Sequence, residues 1–163
     1  MRKRWSPTLA AAGLLLGAAG CFFEPYREVA RYDLPVTREI ATPLAAQEFT
    51  DLSGAGTAYR RVAPDGRVTD DADCKWILPP GELVPRALNR CFRGDGSQRL
   101  TGAIDTFAES EGAFVCAGTF RIDGQNRRFR FTAPVEEPTP AARAQAAARC
   151  VEMLAAAAAE KKP

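Results

Sequence analysis

The stretch Ala113–Thr132, AFVCAGTFRIDGQNRRFRFT, decides the fold. Phe114, Cys116, Phe120 and Ile122 alternate with residues such as Thr119 and Arg121, the period of two expected when one face of a strand is buried. Asp123-Gly124 is a tight-turn pair. Arg128–Thr132 (RFRFT) then resumes the alternation, with Phe129 and Phe131 inward and the arginines outward. The two runs read as one antiparallel hairpin.

Working outward, Leu100–Phe107 reads as a strand before the hairpin, with Glu109-Ser110-Glu111 as a polar tip. Downstream, Thr139 is a good N-cap, and Pro140 follows at the first helical position, where a missing N–H is harmless. Ala141–Glu160 is then an alanine-rich helix, with Cys150, Met153, Leu154 and Ala157 able to dock on the sheet. Upstream, Leu83, Val84, Ala87, Leu88 and Cys91 recur at three- and four-residue spacing after Pro79-Pro80, which predicts a helix ending at Gly94. Pro85 is awkward there, because it removes a hydrogen bond and clashes with the preceding turn, so the helix is expected either to start near Leu83 or to be kinked. Earlier still, Thr57–Val62 and the segment around Cys74–Ile77 read as strands, Ser53–Gly56 and Asp65-Gly66 as turns, and Leu44–Leu52 as a further candidate strand.

These elements predict the α+β class: a single mixed or antiparallel sheet of about five or six strands packed by two helices. Trp76, Leu88, Phe114, Phe120 and Phe129 are the expected core. The length of 163 residues, 46% apolar and 26% charged, suits one globular domain plus a processed segment. The chain has no histidine. That removes Ser-His-Asp and Cys-His catalysis, the imidazole general base and HExxH-type zinc sites.

The N-terminus reads as an address. Arg2, Lys3 and Arg4 precede Leu9–Gly20 (LAAAGLLLGAAG), an apolar run of twelve residues, too short to span a bilayer. Ala18-Ala19-Gly20 before Cys21 looks like a bacterial lipobox, whose cysteine is acylated before cleavage. Ordinary secretory cleavage is the alternative. The chain divides into a signal peptide at 1–20, a tether at 21–36 and a domain at 37–163. Cleavage removes three basic and no acidic groups, leaving 19 basic against 20 acidic. A near-neutral surface gives no electrostatic case for nucleic acid. An acylated Cys21 would anchor the protein to a membrane. By resemblance to bacterial lipoproteins, Phe22 in place of an Asp retention signal favours the outer membrane, facing the periplasm.

Beyond Cys21 stand Cys74, Cys91, Cys116 and Cys150, an even number that suggests two disulfides in an exported protein. The preferred pairing is Cys74–Cys91 and Cys116–Cys150, with buried free thiols as the alternative. No CxxC is present, so neither a zinc site nor a thioredoxin-like motif is supported. Gly54-Ala55-Gly56 lacks the rest of a phosphate loop and reads as a turn. Ser53 has no histidine to activate it, and Arg93-Gly94-Asp95 reads as a turn. Asp70, Asp71 and Asp73 lack the glycine and distal glutamate of a calcium loop, so a solvated loop is expected. No metal, cofactor or catalytic constellation is expected.

The stretch Phe49–Phe92, FTDLSGAGTAYRRVAPDGRVTDDADCKWILPPGELVPRALNRCF, resembles the bacterial ABC-type transport auxiliary lipoprotein component family, the PqiC-like lipoproteins. Ser53-Gly54 matches the Ser-Gly at the end of a strand, and Tyr59-Arg60 the Tyr-Arg of the next. Trp76, Pro79, Leu83 and Leu88 match a tryptophan followed by a proline and a leucine-bearing helix. The four additional cysteines and Pro85 depart from the family pattern. The resemblance implies a non-enzymatic periplasmic lipoprotein that assists an ABC or MCE-type system moving lipids or other hydrophobic solutes. Its implied partners are an MCE-type protein or ABC permease complex, the membrane through Cys21, and further copies of itself as a homo-oligomer. Two other readings stand beside it: a structural or assembly lipoprotein for an outer-membrane barrel, and a small lipid-binding carrier.

Overall fold

The computed structural model of the chain describes residues 28–160. The signal peptide, Cys21 and the first part of the tether lie outside the described residues. In chain order the elements are β1 (Ala30–Tyr32), β2 (Ile40–Ala41), β3 (Leu44–Ala46), β4 (Thr50–Asp51), β5 (Ala58–Val62), β6 (Val68–Trp76), α1 (Pro80–Cys91), β7 (Phe92–Arg93), β8 (Gln98–Ser110), β9 (Ala113–Ile122), β10 (Gln125–Pro134) and α2 (Pro140–Ala159). Eight strands form one mixed sheet in the order β1-β6-β5-β8-β9-β10, with β3 and β4 also paired to β8. A separate two-stranded parallel sheet joins β2 to β7. The fold is α+β, a large sheet with two helices.

The strand count exceeds expectation because β8 runs for 13 residues. Along one side it takes three short strands in succession, all parallel to it. Leu44–Ala46 pairs at Gln98–Leu100, Thr50-Asp51 at Ala103-Ile104, and Arg61-Val62 at Glu109-Ser110. Its other side pairs with β9 from Leu100 to Ser110. A bulge between Ile104 and Thr106 inserts Asp105 and changes which residues face inward, from Leu100 and Ile104 to Phe107. Both hairpin loops have two residues with positive φ, Glu111 (50°) and Gly112 (75°), then Asp123 (50°) and Gly124 (81°). That is the turn whose twist matches the flanking strands. β9 and β10 pair from Ile122–Gln125 to Ala113–Pro134 without a break, as the deciding stretch required.

Five positions named from the sequence as core, Trp76, Leu88, Phe114, Phe120 and Phe129, are all buried. So are all five apolar positions of the α1 face. Pro85 does sit inside α1. Its missing N–H would have bonded the carbonyl of Gly81, four residues back. That carbonyl instead accepts the N–H of Phe49 at 2.9 Å. The proline therefore leaves an acceptor free for the chain between β3 and β4, and the helix persists.

Several expectations are corrected. α1 stops at Cys91 rather than Gly94, because Phe92 turns straight into β7 with extended backbone (ψ 135°). Gly94 serves close approach instead: a Cβ there would lie 2.0 Å from the Thr42 carbonyl oxygen. Asp70, Asp71 and Asp73 are not a loop but part of the nine-residue strand β6. Residues 30–36, expected as part of a tether, pack against the domain. β1 pairs in parallel with Cys74–Trp76, Leu34 is fully buried, and Glu152 Oε1 accepts the N–H groups of Thr37 (2.6 Å) and Arg38 (3.0 Å).

Candidate functional site

The side chains singled out by the resemblance form one unit. Ser53 and Gly54 make a turn in which the Ser53 hydroxyl and N–H both donate to Asp51 Oδ1, at 2.6 and 2.9 Å. Gly54 has φ 65°, which glycine adopts without steric cost. Arg60, returning on β5, donates to the carbonyls of Ser53 (2.8 Å) and Gly54 (3.0 Å), and its Nε to Asp70 Oδ1 (3.2 Å). One guanidinium thus closes the turn and ties it to β6. Sequence spacing alone offers no sign of that.

On the opposite face of β5, Tyr59 is buried against Trp76 and Phe114, which in turn contact Phe107. The Tyr59 and Trp76 ring centroids are 5.4 Å apart, Trp76 and Phe107 5.4 Å, and Phe107 and Phe114 4.8 Å nearly edge-on. Such tilted and edge-on contacts add to plain area burial. Pro79 supplies the extended residue before α1, and Leu83 and Leu88 pack into the same core. Trp76 Nε1 is buried without a hydrogen-bond partner.

The polar end of Tyr59 opens a buried ionic network that reasoning from the sequence missed. Its hydroxyl donates to Glu109 Oε2 at 2.8 Å. Arg143, from the first turn of α2, lies with Nε 3.3 Å from the same oxygen, close enough for an ion pair but not aligned as a hydrogen bond. Its Nη1 donates to Asp71 Oδ2 at 2.9 Å, and Arg61 donates to that oxygen from the other side at 3.0 Å. The Arg143 guanidinium carbon also stands 5.2 Å from the Tyr59 ring centroid, a cation–π contact. Arg143 and Asp71 are each 8% exposed. Two carboxylates and two guanidiniums balance, so the buried charge is paired as it must be.

Burial, then the Glu109 carboxylate, push the Tyr59 phenol far above its ordinary value. It stays a hydrogen-bond donor at every physiological pH. The network is a staple that fixes the start of α2 to β5, β6 and β8. Among the described residues no cluster of three or more Cys, Asp or Glu side chains is arranged to hold a metal ion.

The four cysteines are buried free thiols, so the expected pairs Cys74–Cys91 and Cys116–Cys150 are not bonded here. Cys74 faces the ionic network, whereas Cys91, at the end of α1, feels Glu152 and Arg90, so the first two have different surroundings. Cys116 and Cys150 are neighbours, since the Cys150 sulfur is near the Cys116 N–H and lies 3.4 Å from the Phe114 carbonyl oxygen. Burial raises Cys74 and Cys150 to about 11 and Cys116 well above the usual thiol range.

No described helix is long and apolar enough to cross a membrane. Clefts open at the surface. One of about 400 Å³ lies at the C-terminal end of α2, between Thr42–Leu44 and the Ile122–Arg127 turn. Another, about 470 Å³, lies on the outer face of the sheet between Arg128 and Arg130, with Asp105, Ala117, Gly118 and Thr119.

No family model matches the chain. No curated protein matches it either. Solved structures do share the fold. An uncharacterized protein aligns with TM-score 0.61 and 13% identity over 80% of this chain and 96% of its own. A Xanthomonas campestris protein of the family DUF330 aligns with TM-score 0.54 and 12% identity, covering 81% of this chain and 90% of that one. At these identities the likeness concerns the fold alone.

Proposed function

We propose that the chain is a non-enzymatic, lipid-anchored auxiliary component of an envelope ABC or MCE-type transport system. In this reading Cys21 holds it to the outer membrane and the domain faces the periplasm. The observation that carries the proposal is the assembly of the family-like positions. Ser53, Gly54 and Arg60 close one turn, while Tyr59, Trp76 and Leu88 fill the core beside it. These residues are the ones on which the resemblance to the auxiliary lipoproteins rests. That they cooperate in one substructure supports treating the resemblance as more than coincidence of spacing.

The anchor geometry also suits the role. Cys21 precedes β1 by nine residues, at most roughly 30 Å of extended chain. A domain on so short a leash works next to its membrane rather than reaching far from it. The rival lipid carrier needs an apolar cavity, and that space is taken by Tyr59, Trp76, Phe107 and Phe114.

The test is purification of the tagged full-length chain from solubilised envelopes, with palmitate labelling of the wild type and the Cys21→Ser variant. Labelling lost in Cys21→Ser, together with co-purification of an MCE-type protein, permease or ATPase, is the expected result. A barrel protein alone would favour the assembly reading, and bound lipid alone the carrier.

A further inference from the structure

The outermost strand of the meander, β10, has one side unpaired. It is the last strand in the sheet order, and among the described residues none pairs with its outer side. It is ten residues long, with no proline before its final position. Such an edge presents unpaired N–H and C=O groups that template another strand. The strand is also held rigid. Phe129, Phe131 and Ala133 face the core, and Arg149 of α2 donates to the Pro134 carbonyl at 2.7 Å.

The face away from the helices carries the charge. Arg128 and Arg130 are exposed and two residues apart, so both side chains stand on the same side of the sheet, about 7 Å from one another. Arg121 of β9 is exposed on that side too, opposite Asn126. Among the described residues no carboxylate lies within ion-pair distance of these three arginines, not even Asp105 across the hollow. Elsewhere Arg60 pairs with Asp70, Arg61 with Asp71, Arg93 with Glu39 and Arg149 with Glu136, whereas Arg31, Arg38, Arg99 and Arg127 make no ion pair among the described residues. Three cations without a carboxylate partner thus share the face beside the unpaired edge of β10.

We infer that the free edge of β10 receives an extended acidic segment of a partner polypeptide as an added strand. Its backbone would bond to β10, and carboxylates at alternate positions would meet Arg128 and Arg130. The hollow of about 470 Å³ beside these arginines, with Ala117, Gly118 and Thr119, leaves room for the incoming side chains. A lipid headgroup could use the cations but not the directional backbone groups, so a polypeptide uses more of what this edge offers. The inference goes beyond the transport reading and holds whatever the partner's role.

The test uses the full-length chain in zwitterionic detergent and a fluorescent ten-residue peptide alternating glutamate with threonine. Saturable binding is expected. It weakens about tenfold in the Arg128→Glu, Arg130→Glu double variant. It is also lost when alternate peptide nitrogens are methylated, which removes strand donors but keeps the charge. Both arginines are exposed, so the variant folds, and circular dichroism checks this. Three results would overturn the inference: no binding, binding indifferent to methylation, or an effect of the variant confined to phosphatidylglycerol vesicles. The first would leave the arginines as guards against edge-to-edge aggregation.

Discussion

Arg143 sits where three elements meet, and its removal leaves Glu109 without a cation and Asp71 with only Arg61. Arg143→Met should lower stability by about 2–3 kcal/mol, because the part-buried Glu109 would lose its only cation and the buried Asp71 one of its two. Urea unfolding of the full chain measures this, and a shift under 1 kcal/mol would mean the network relaxes into solvent. Tyr59→Phe should cost only about 1 kcal/mol, since it removes one hydrogen bond and keeps the packing. The thiols make a prediction of opposite dependence on solution conditions. In the folded chain Cys74 and Cys150 titrate near 11, against a usual 9.0. The folded state therefore holds more protons than the unfolded between those values, so their contribution is complete below pH 9 and is lost as pH rises toward 11. Unfolding at pH 8 and pH 10.5 should show the loss, and a Cys74→Ala, Cys150→Ala variant should flatten it. None of this residue-scale chemistry was legible beforehand. An aspartate triplet looks like a solvated loop until a distant arginine arrives from a helix 72 residues later to neutralise its middle member.

At the scale of elements, periodicity and capping chemistry were enough for the C-terminal half. β9 has the bounds read from its alternation, and Thr139 Oγ1 accepts the Ala142 N–H at 3.2 Å as its N-cap position implied. Thr139→Ala should cost about 1 kcal/mol of thermal or urea stability. The N-terminal half was less legible because its short strands, two to five residues each, exist through the neighbours they pair with, three of them along β8. Their own sequences carry little signal. β3 and β4 are strands because β8 offers them its edge. Pro85 was misjudged for a related reason: whether a proline breaks a helix depends on who else uses the freed carbonyl. A Cβ on Gly81 would stand 2.4 Å from the Phe49 carbonyl oxygen, so Gly81→Ala should destabilise by about 1–3 kcal/mol. Pro85→Ala should be much milder, since Phe49 already satisfies the Gly81 carbonyl. Equal costs for the two variants would contradict that account.

For the whole molecule, the sequence carried the α+β class, the inward aromatics and the placement of both helices, all set by local pattern. Which residues gather in space was hidden. The family-like positions proved to be one turn-and-core substructure, the cysteines to be buried thiols, and Arg121, Arg128 and Arg130 to share the outer face beside the edge of the sheet. What unites these features is a domain with a filled core, an ionic staple beside it and an arginine-bearing outer face next to an unpaired strand edge. That arrangement fits the docking role proposed above. The most direct test is crosslinking of the tagged, full-length chain in intact envelopes, followed by mass spectrometry of what is captured. The account predicts an MCE-type protein, ABC permease or its ATPase among the adducts, with capture reduced in Cys21→Ser. Capture of only an outer-membrane barrel, or of nothing beyond lipid, would contradict it.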